Sequence, residues 1–164
     1  MPSALELTTF KYPLPHLGGH YIEIPATAMA ELNGNFKLRL VCNLNNLKFQ
    51  CGLVALGGGA AYILLNKKRM DQAKVKAGDQ VEVTLEADTT EYGVPMPESL
   101  QAVLENDQEG NAKFKALAAG KQRYIIMHIG NFKNTQIQID KSLFLIENLK
   151  RLPKGKESLK AIFE

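Results

Sequence analysis

The stretch Phe36–Ala55, FKLRLVCNLNNLKFQCGLVA, decides the fold class. Phe36, Leu38, Leu40, Cys42 and Leu44 share one parity, and Lys37, Arg39, Val41 and Asn43 the other. A period of two is what a strand shows when one face is buried and the other is wet. Asn45 and Asn46 follow, an amide pair that tolerates positive φ and suits a two-residue hairpin turn. Leu47, Phe49, Cys51, Leu53 and Ala55 then resume the alternation. A two-residue turn makes Leu44 face Leu47, Cys42 face Phe49 and Leu40 face Cys51. Every apolar side chain then lands on one face, the condition that singles out one register. Cys42 and Cys51 become diagonal neighbours roughly 7 to 8 Å apart, too far for an unstrained disulfide, so both are expected as reduced, buried thiols.

Working outward, HYIEIP reads as a short strand ended by Pro25, and ATAMAELNG as a short helix closing on Asn33 and Gly34, a pair suited to a C-terminal cap. Beyond the hairpin, GGGAAYILLNKKR sets Gly57, Gly58 and Gly59 ahead of Lys67, Lys68 and Arg69. A phosphate loop would need a lysine directly after the last glycine and a hydroxyl after that. Here AAYILL intervenes and reads as a buried strand, so the glycines are a turn. KKRMDQAKV makes a second short helix and AGD a turn. In QVEVTLEAD, Val81, Val83, Leu85 and Ala87 alternate with Glu82, Thr84, Glu86 and Asp88, a strand with one wet face. Five or more strands joined by tight turns predict a small barrel or curled sheet up to about Asp88.

The pattern then changes. TEYGVPMP is an extended connector with proline and aromatic anchors, unlike a flexible Gly/Ser linker. PESLQAVLEND places Pro97 at a favoured first-turn position and spaces Leu100, Val103 and Leu104 by three and four. NAKFKAL, GKQRYIIMHIGNF and DKSLFLIENLKRL continue in helical style. The expected architecture is α+β, with a barrel over about residues 5–92 and a helical section over 93–164 packed on it as one cooperative unit.

The 164 residues suit one ordinary domain or a small domain with an appendage. The net charge of +3 conceals an asymmetry. Residues 1–70 carry seven Lys/Arg and three Asp/Glu, 71–112 carry two and ten, and 113–164 carry eleven and four. A basic last third attracts polyanions; the competing account is that it packs near the acidic middle of its own chain. The longest apolar run is too short to cross a bilayer, and MPSALELTTF lacks the charge and cleavage pattern of a signal peptide, so a cytoplasmic location without membrane contact is expected. Cys42 and Cys51 lack the spacings of zinc or dithiol sites, and no metal or cofactor is expected.

Candidate chemistry is sparse. His16 and His20 have a zinc-helix spacing, but Pro15, Gly18 and Gly19 forbid the helix, leaving loop histidines. His128 lies among Ile125, Ile126, Met127 and Ile129 with no Cys or Ser nearby, as a partly buried structural histidine would. Lys121 and Arg123 begin a helix, where they oppose the macrodipole, so something other than helix stability favours them and an anion site is the candidate. The residues expected to meet an anion or nucleic acid are Lys67, Lys68, Arg69, Lys121, Arg123 and Lys133. With five Tyr, seven Phe and no Trp, and no aromatics expected among the basic clusters, a single-strand stacking platform is not expected.

The segments GGGAAYILLNKKRMDQAKVKAGDQVEVTLEAD, EYGVPMPESLQAVLENDQEGNAKFKAL and GKQRYIIMHIGNF together resemble a bacterial family whose members couple a small β domain of unknown function to a helical segment labelled YdeI/OmpD-associated, or bacteriocin-protection-like. The resemblance runs from about Phe10 through nearly the whole chain. It implies a double-split β-barrel of the AbrB/MazE-like kind, with AGDQVEV matching the strand-turn pattern, and it brings no activity or catalytic residue. Where the wider helical family carries a Thr-Arg-rich stretch, this chain has NTQIQID, with Lys133 the nearest cation. The expected function is a non-enzymatic binding or regulatory module that meets nucleic acid weakly. The alternative is a binder of small anionic metabolites, or an enzyme, using Lys121, Arg123 and His128.

Overall fold

A computed structural model describes residues 4–14 and 19–164, with side chains from residue 20 onward; His16 lies outside the described residues. The chain divides into two compact units, Met1–Thr89 and Thr90–Glu164. Among the described residues the first holds seven strands: β1 (Ala4–Leu14), β2 (Gly19–Ile24), β3 (Arg39–Leu44), β4 (Leu47–Gly52), β5 (Val54–Gly57), β6 (Ala60–Leu65) and β7 (Gln80–Ala87). Two short helices, α1 (Ala26–Glu31) and α2 (Lys67–Ala73), lie between them.

The strand order is β4-β3-β7-β1-β2-β6-β5. Long β1 belongs to both halves, pairing through Ala4–Phe10 with β7 and through Lys11–Leu14 with β2. The α+β class holds, but the expected barrel is not closed: β4 and β5 end the order, and no ladder joins them. One reason lies in β5, a four-residue strand with a register shift before Gly57. The chain leaves it at once through Gly57, Gly58 and Gly59, all at positive φ, so little ladder is available for closure.

The β3–β4 hairpin has the register that the alternation requires, with Leu44 opposite Leu47, Cys42 opposite Phe49 and Leu40 opposite Cys51. Asn45 and Asn46 turn it with φ of 49° and 68°. Its edges differ from expectation. Phe36–Leu38 lie outside β3, where the Asn35 carboxamide accepts a hydrogen bond from the Lys37 amide and holds a turn. At the far end the alternation breaks at Leu53, where the chain passes from the ladder with β3 to the ladder with β6. Gly52 sits at that break beneath the Arg39 guanidinium, in space a Cβ would fill. The inward residues of both halves, among them Ile22, Leu40, Cys42, Ile63, Val83 and Leu85, form one core, to which α1 and α2 add Met29, Met70 and Ala73. Cys42 and Cys51 are buried and free.

The second unit holds α3 (Glu98–Asn106), α4 (Gln108–Lys115), α5 (Ala119–Gly130), α6 (Thr135–Arg151) and α7 (Leu159–Phe163). Pro97 is the N-cap rather than the first helical residue of α3. The connector belongs to this unit's core: Val94 is buried, and Tyr92 meets Phe114 edge-on at 5.6 Å between centroids. Asp107 caps α4 by accepting from the Gly110 amide at 2.8 Å, as an Asp N-cap should. At Gly110 a Cβ would collide with Ile146 of α6, so only glycine allows this approach. Phe114, Leu100, Ile126, Ile129, Leu149 and Ile162 are fully buried at the centre.

Candidate nucleic-acid interface

The residues singled out in the sequence fall into several environments. Lys67 and Lys68 open α2 and are exposed, and Asn66 caps that helix by accepting from the Arg69 amide. Arg69 turns back on its own unit: its guanidinium carbon lies 4.4 Å from the Phe49 centroid, and burial holds its pKa below the ordinary value. Lys121 is also engaged internally. Its Nζ donates to the Glu157 carbonyl at 2.7 Å, and Lys113 donates to the Leu152 carbonyl at 2.7 Å. Both ammonium groups thereby tie down the chain that leads into α7. The Glu157 carboxylate lies nearby and titrates below its usual range, mainly through its own backbone N–H, with Gly155's amide, Lys113 and Lys121 contributing. The force that favours a cation at the start of α5 is therefore supplied within the chain.

Part of the basic last third does meet the acidic middle. Lys150 pairs with Asp107 at 2.9 Å and Lys115 with Glu91 at 3.6 Å. Asp107 is held below the ordinary carboxylate range first by the Gly110 amide and then by Lys150. Other cations have no such use. Arg123, Lys133 and Lys141 make no ion pair among the described residues.

Arg123 and Lys133 stand next to aromatic residues in an acid-poor part of the chain, and Lys141 reaches one of those rings. From Gly110 to Ile139 the chain carries five Lys/Arg and no Asp or Glu. On α5, Tyr124 and His128 are one helical turn apart, so they share a face. Phe132 follows just beyond the helix end, and Phe163 of α7 packs against the same row. The rings interlock edge to face: Tyr124 with Phe163 at 5.6 Å, His128 with Phe163 at 4.8 Å and His128 with Phe132 at 5.2 Å. Lys141 of α6 places its Nζ 6.0 Å from the Phe132 centroid. The sequence expectation that no aromatic groups mix with the cations is corrected here: Tyr124 directly follows Arg123 and Phe132 directly precedes Lys133, and folding adds Phe163 and Lys141 to the same row. His128 is half-buried, and its pKa is lowered by that burial and then by Lys141; it is packed between rings.

The same helices expose large apolar groups. Tyr124 is 53% exposed, Met127 56% and Phe144 47%. Helical spacing puts Ile137, Lys141 and Phe144 on one stripe of α6, and Ile137 is also exposed. By contrast, the two thiols are sealed. Burial first, then neighbouring Cys51, pushes Cys42 up to about 12, and burial pushes Cys51 up to about 11, so neither supplies a thiolate nucleophile near neutral pH. Among the described residues no group of three His, Cys, Asp or Glu could hold a metal ion, and no helix is long and apolar enough to cross a membrane.

An open antiparallel sheet followed by a helical unit with an aromatic, basic face defines a two-unit α+β protein. Within it, residues 8–85 match the model of a domain of unknown function, DUF1905, a span that runs from inside β1 into β7. No curated protein matches the chain.

Proposed function

We propose that the protein is a non-enzymatic binding module whose helical unit takes nucleic acid on the α5–α7 face. The observation that carries this reading is Lys141 at the Phe132 end of the interlocked row of Tyr124, His128, Phe132 and Phe163, with Lys133 and Arg123 next in sequence to Phe132 and Tyr124 and all three cations outside the ion pairs of the described residues. Cations without an internal partner keep their charge for a phosphate backbone, and each phosphate contact releases a counterion. The thiols and His128, the chain's ready candidates for nucleophile and base, are protonated or enclosed by rings, which supports binding over catalysis. The resemblance to AbrB/MazE-like and YdeI/OmpD-associated proteins fits a cytoplasmic regulatory role, by analogy of fold alone.

The test is titration of a labelled oligonucleotide at two salt concentrations. Binding is expected to be weak and steeply salt-dependent. R123A/K133A/K141A should flatten the slope of log affinity against log salt by about two to three. K67A/K68A/R69A should change it by about one or less, because Lys67 and Lys68 belong to the β unit rather than to α5–α7 and Arg69 is occupied by Phe49. No binding by the native chain at low salt would remove nucleic acid as the partner.

A second reading, a small anionic metabolite, is favoured by a separate feature. His20, Lys67 and Lys76 line a cleft of about 390 Å³ beside α2, together with Met70, Asp71 and Val75. Thermal stabilisation by an anionic metabolite, abolished in K67A/K76A and absent with oligonucleotide, would put this reading first.

A further inference from the structure

Along α5 and α6 the helical unit exposes more apolar surface than contact with phosphate requires, and this excess points to the form of its ligand. A duplex presents phosphates and sugars outward and keeps its base faces stacked inside. Burying Tyr124, Met127, Ile137 and Phe144 against such a backbone would remove water from phosphates without giving them partners. A strand with unpaired bases differs, since each base has a π-face that can stack on an aromatic ring while cations track the backbone. From this arrangement we infer that the face binds single-stranded nucleic acid in preference to duplex, an inference that rests on the nucleic-acid reading above.

Three features of the site support the choice of ligand. Tyr124 is more than half exposed yet fixed by its edge-to-face contact with Phe163, so it is already ordered for stacking and little rotamer freedom remains to be lost. Phe144 offers a second exposed ring on the α6 stripe that carries Lys141. Charge complementarity favours a polyanion: among the described residues Arg123, Lys133 and Lys141 have no acidic partner, and the carboxylates near them in sequence have their own partners. Asp140 accepts from the Gln136 carboxamide and Glu164 pairs with Lys160. An acidic protein segment would satisfy the cations but would bring few flat groups to the rings.

The experiment is fluorescence anisotropy at low salt with four ligands: a 12-nucleotide single strand of mixed sequence, its duplex, an abasic strand of equal length, and an acidic peptide. The native chain should bind the single strand at least about tenfold more tightly than the duplex or the abasic strand, as stacking of one or two bases would give. Y124A/F144A should lose about tenfold or more for the single strand and little for the duplex. Both side chains are exposed, so the variant should fold, and circular dichroism checks it; the abasic comparison needs no variant. Equal affinity for single strand and duplex, or no loss with the abasic strand, would overturn the single-strand inference while leaving nucleic-acid binding in place. Failure of all three nucleic acids to bind would overturn the nucleic-acid reading itself, and tighter binding of the peptide would replace it with a protein partner.

Discussion

The two units treat the same chemical pair, a cation and an aromatic ring, in opposite ways. In the β unit Arg69 closes over Phe49, which is only 8% exposed, and lies near the sealed thiols of Cys42 and Cys51. In the helical unit Lys141 approaches Phe132 from outside, and Tyr124, Met127 and Phe144 of the same helices remain open to solvent. A guanidinium laid on a buried ring helps close a core, whereas ammonium groups among exposed rings stay available to a ligand. The difference separates structural cations from candidate functional ones more sharply than a count of charges does. Lys113, Lys121 and Lys150 fall on the structural side of that line although they lie in the basic third.

The contrast can be broken at its strongest point by removing the scaffold behind the open face. Phe114→Ala empties a fully buried site and the edge contact with Tyr92, and should cost about 3–5 kcal/mol in urea unfolding. Hydrogen exchange should place the loss within Thr90–Glu164. Next, the sealing of the thiols makes a pH prediction. Their folded pKa values are raised above the ordinary 9.0, so their contribution is complete below pH 9 and is lost as pH climbs toward 11 and 12. Thiol reagents at pH 8 should accordingly label Cys42 and Cys51 only on unfolding; rapid labelling of the folded chain would show that the β core is open. Gly110→Ala should cost about 1–3 kcal/mol by forcing α4 and α6 apart at Ile146. Ser142→Ala should do the reverse: its hydroxyl is fully buried with no hydrogen-bond partner among the described residues, and its removal should stabilise the chain by roughly 1 kcal/mol. The smallest effect concerns the connector. Because Tyr92 and Val94 are part of the helical core, limited proteolysis should find no rapid cut between Thr89 and Met96, and early release of a stable fragment cut there would show the connector to be loose.

How much could be read from the sequence follows the same division. The hairpin register was legible because its determinants are local: parity fixes the face and two asparagines fix the turn. The glycine turn before AAYILL and the cap at Asn33 and Gly34 were legible for similar reasons, with positive φ at each of these positions. Strand β1 was not read, although Leu5 and Leu7 alternate, because its role depends on pairing with β7 and β2, which are distant in sequence. Barrel closure was likewise a matter of which edges meet, and no local pattern encodes that. At the candidate site, Arg123 and Lys133 were visible as cations, but nothing in the sequence near Lys121 shows that Glu157 would supply its acceptor 36 residues later. The aromatic row was missed because Phe163 of α7 meets Tyr124 and His128 of α5 only on folding. An acid-free run from Gly110 to Ile139, with rings at helical spacing inside it, was the signal that could have found it.

The most direct test of the central claim, that the exposed ring-and-cation face of the helical unit is the binding surface, is amide chemical-shift mapping of the native chain during titration with a single-stranded oligonucleotide. The account predicts shifts concentrated in residues 123–133, residues 137–144 and α7, reversed by added salt, with residues 40–51 of the β hairpin unmoved. Shifts centred instead on α2 and its neighbours, or an unchanged spectrum at low salt, would contradict it.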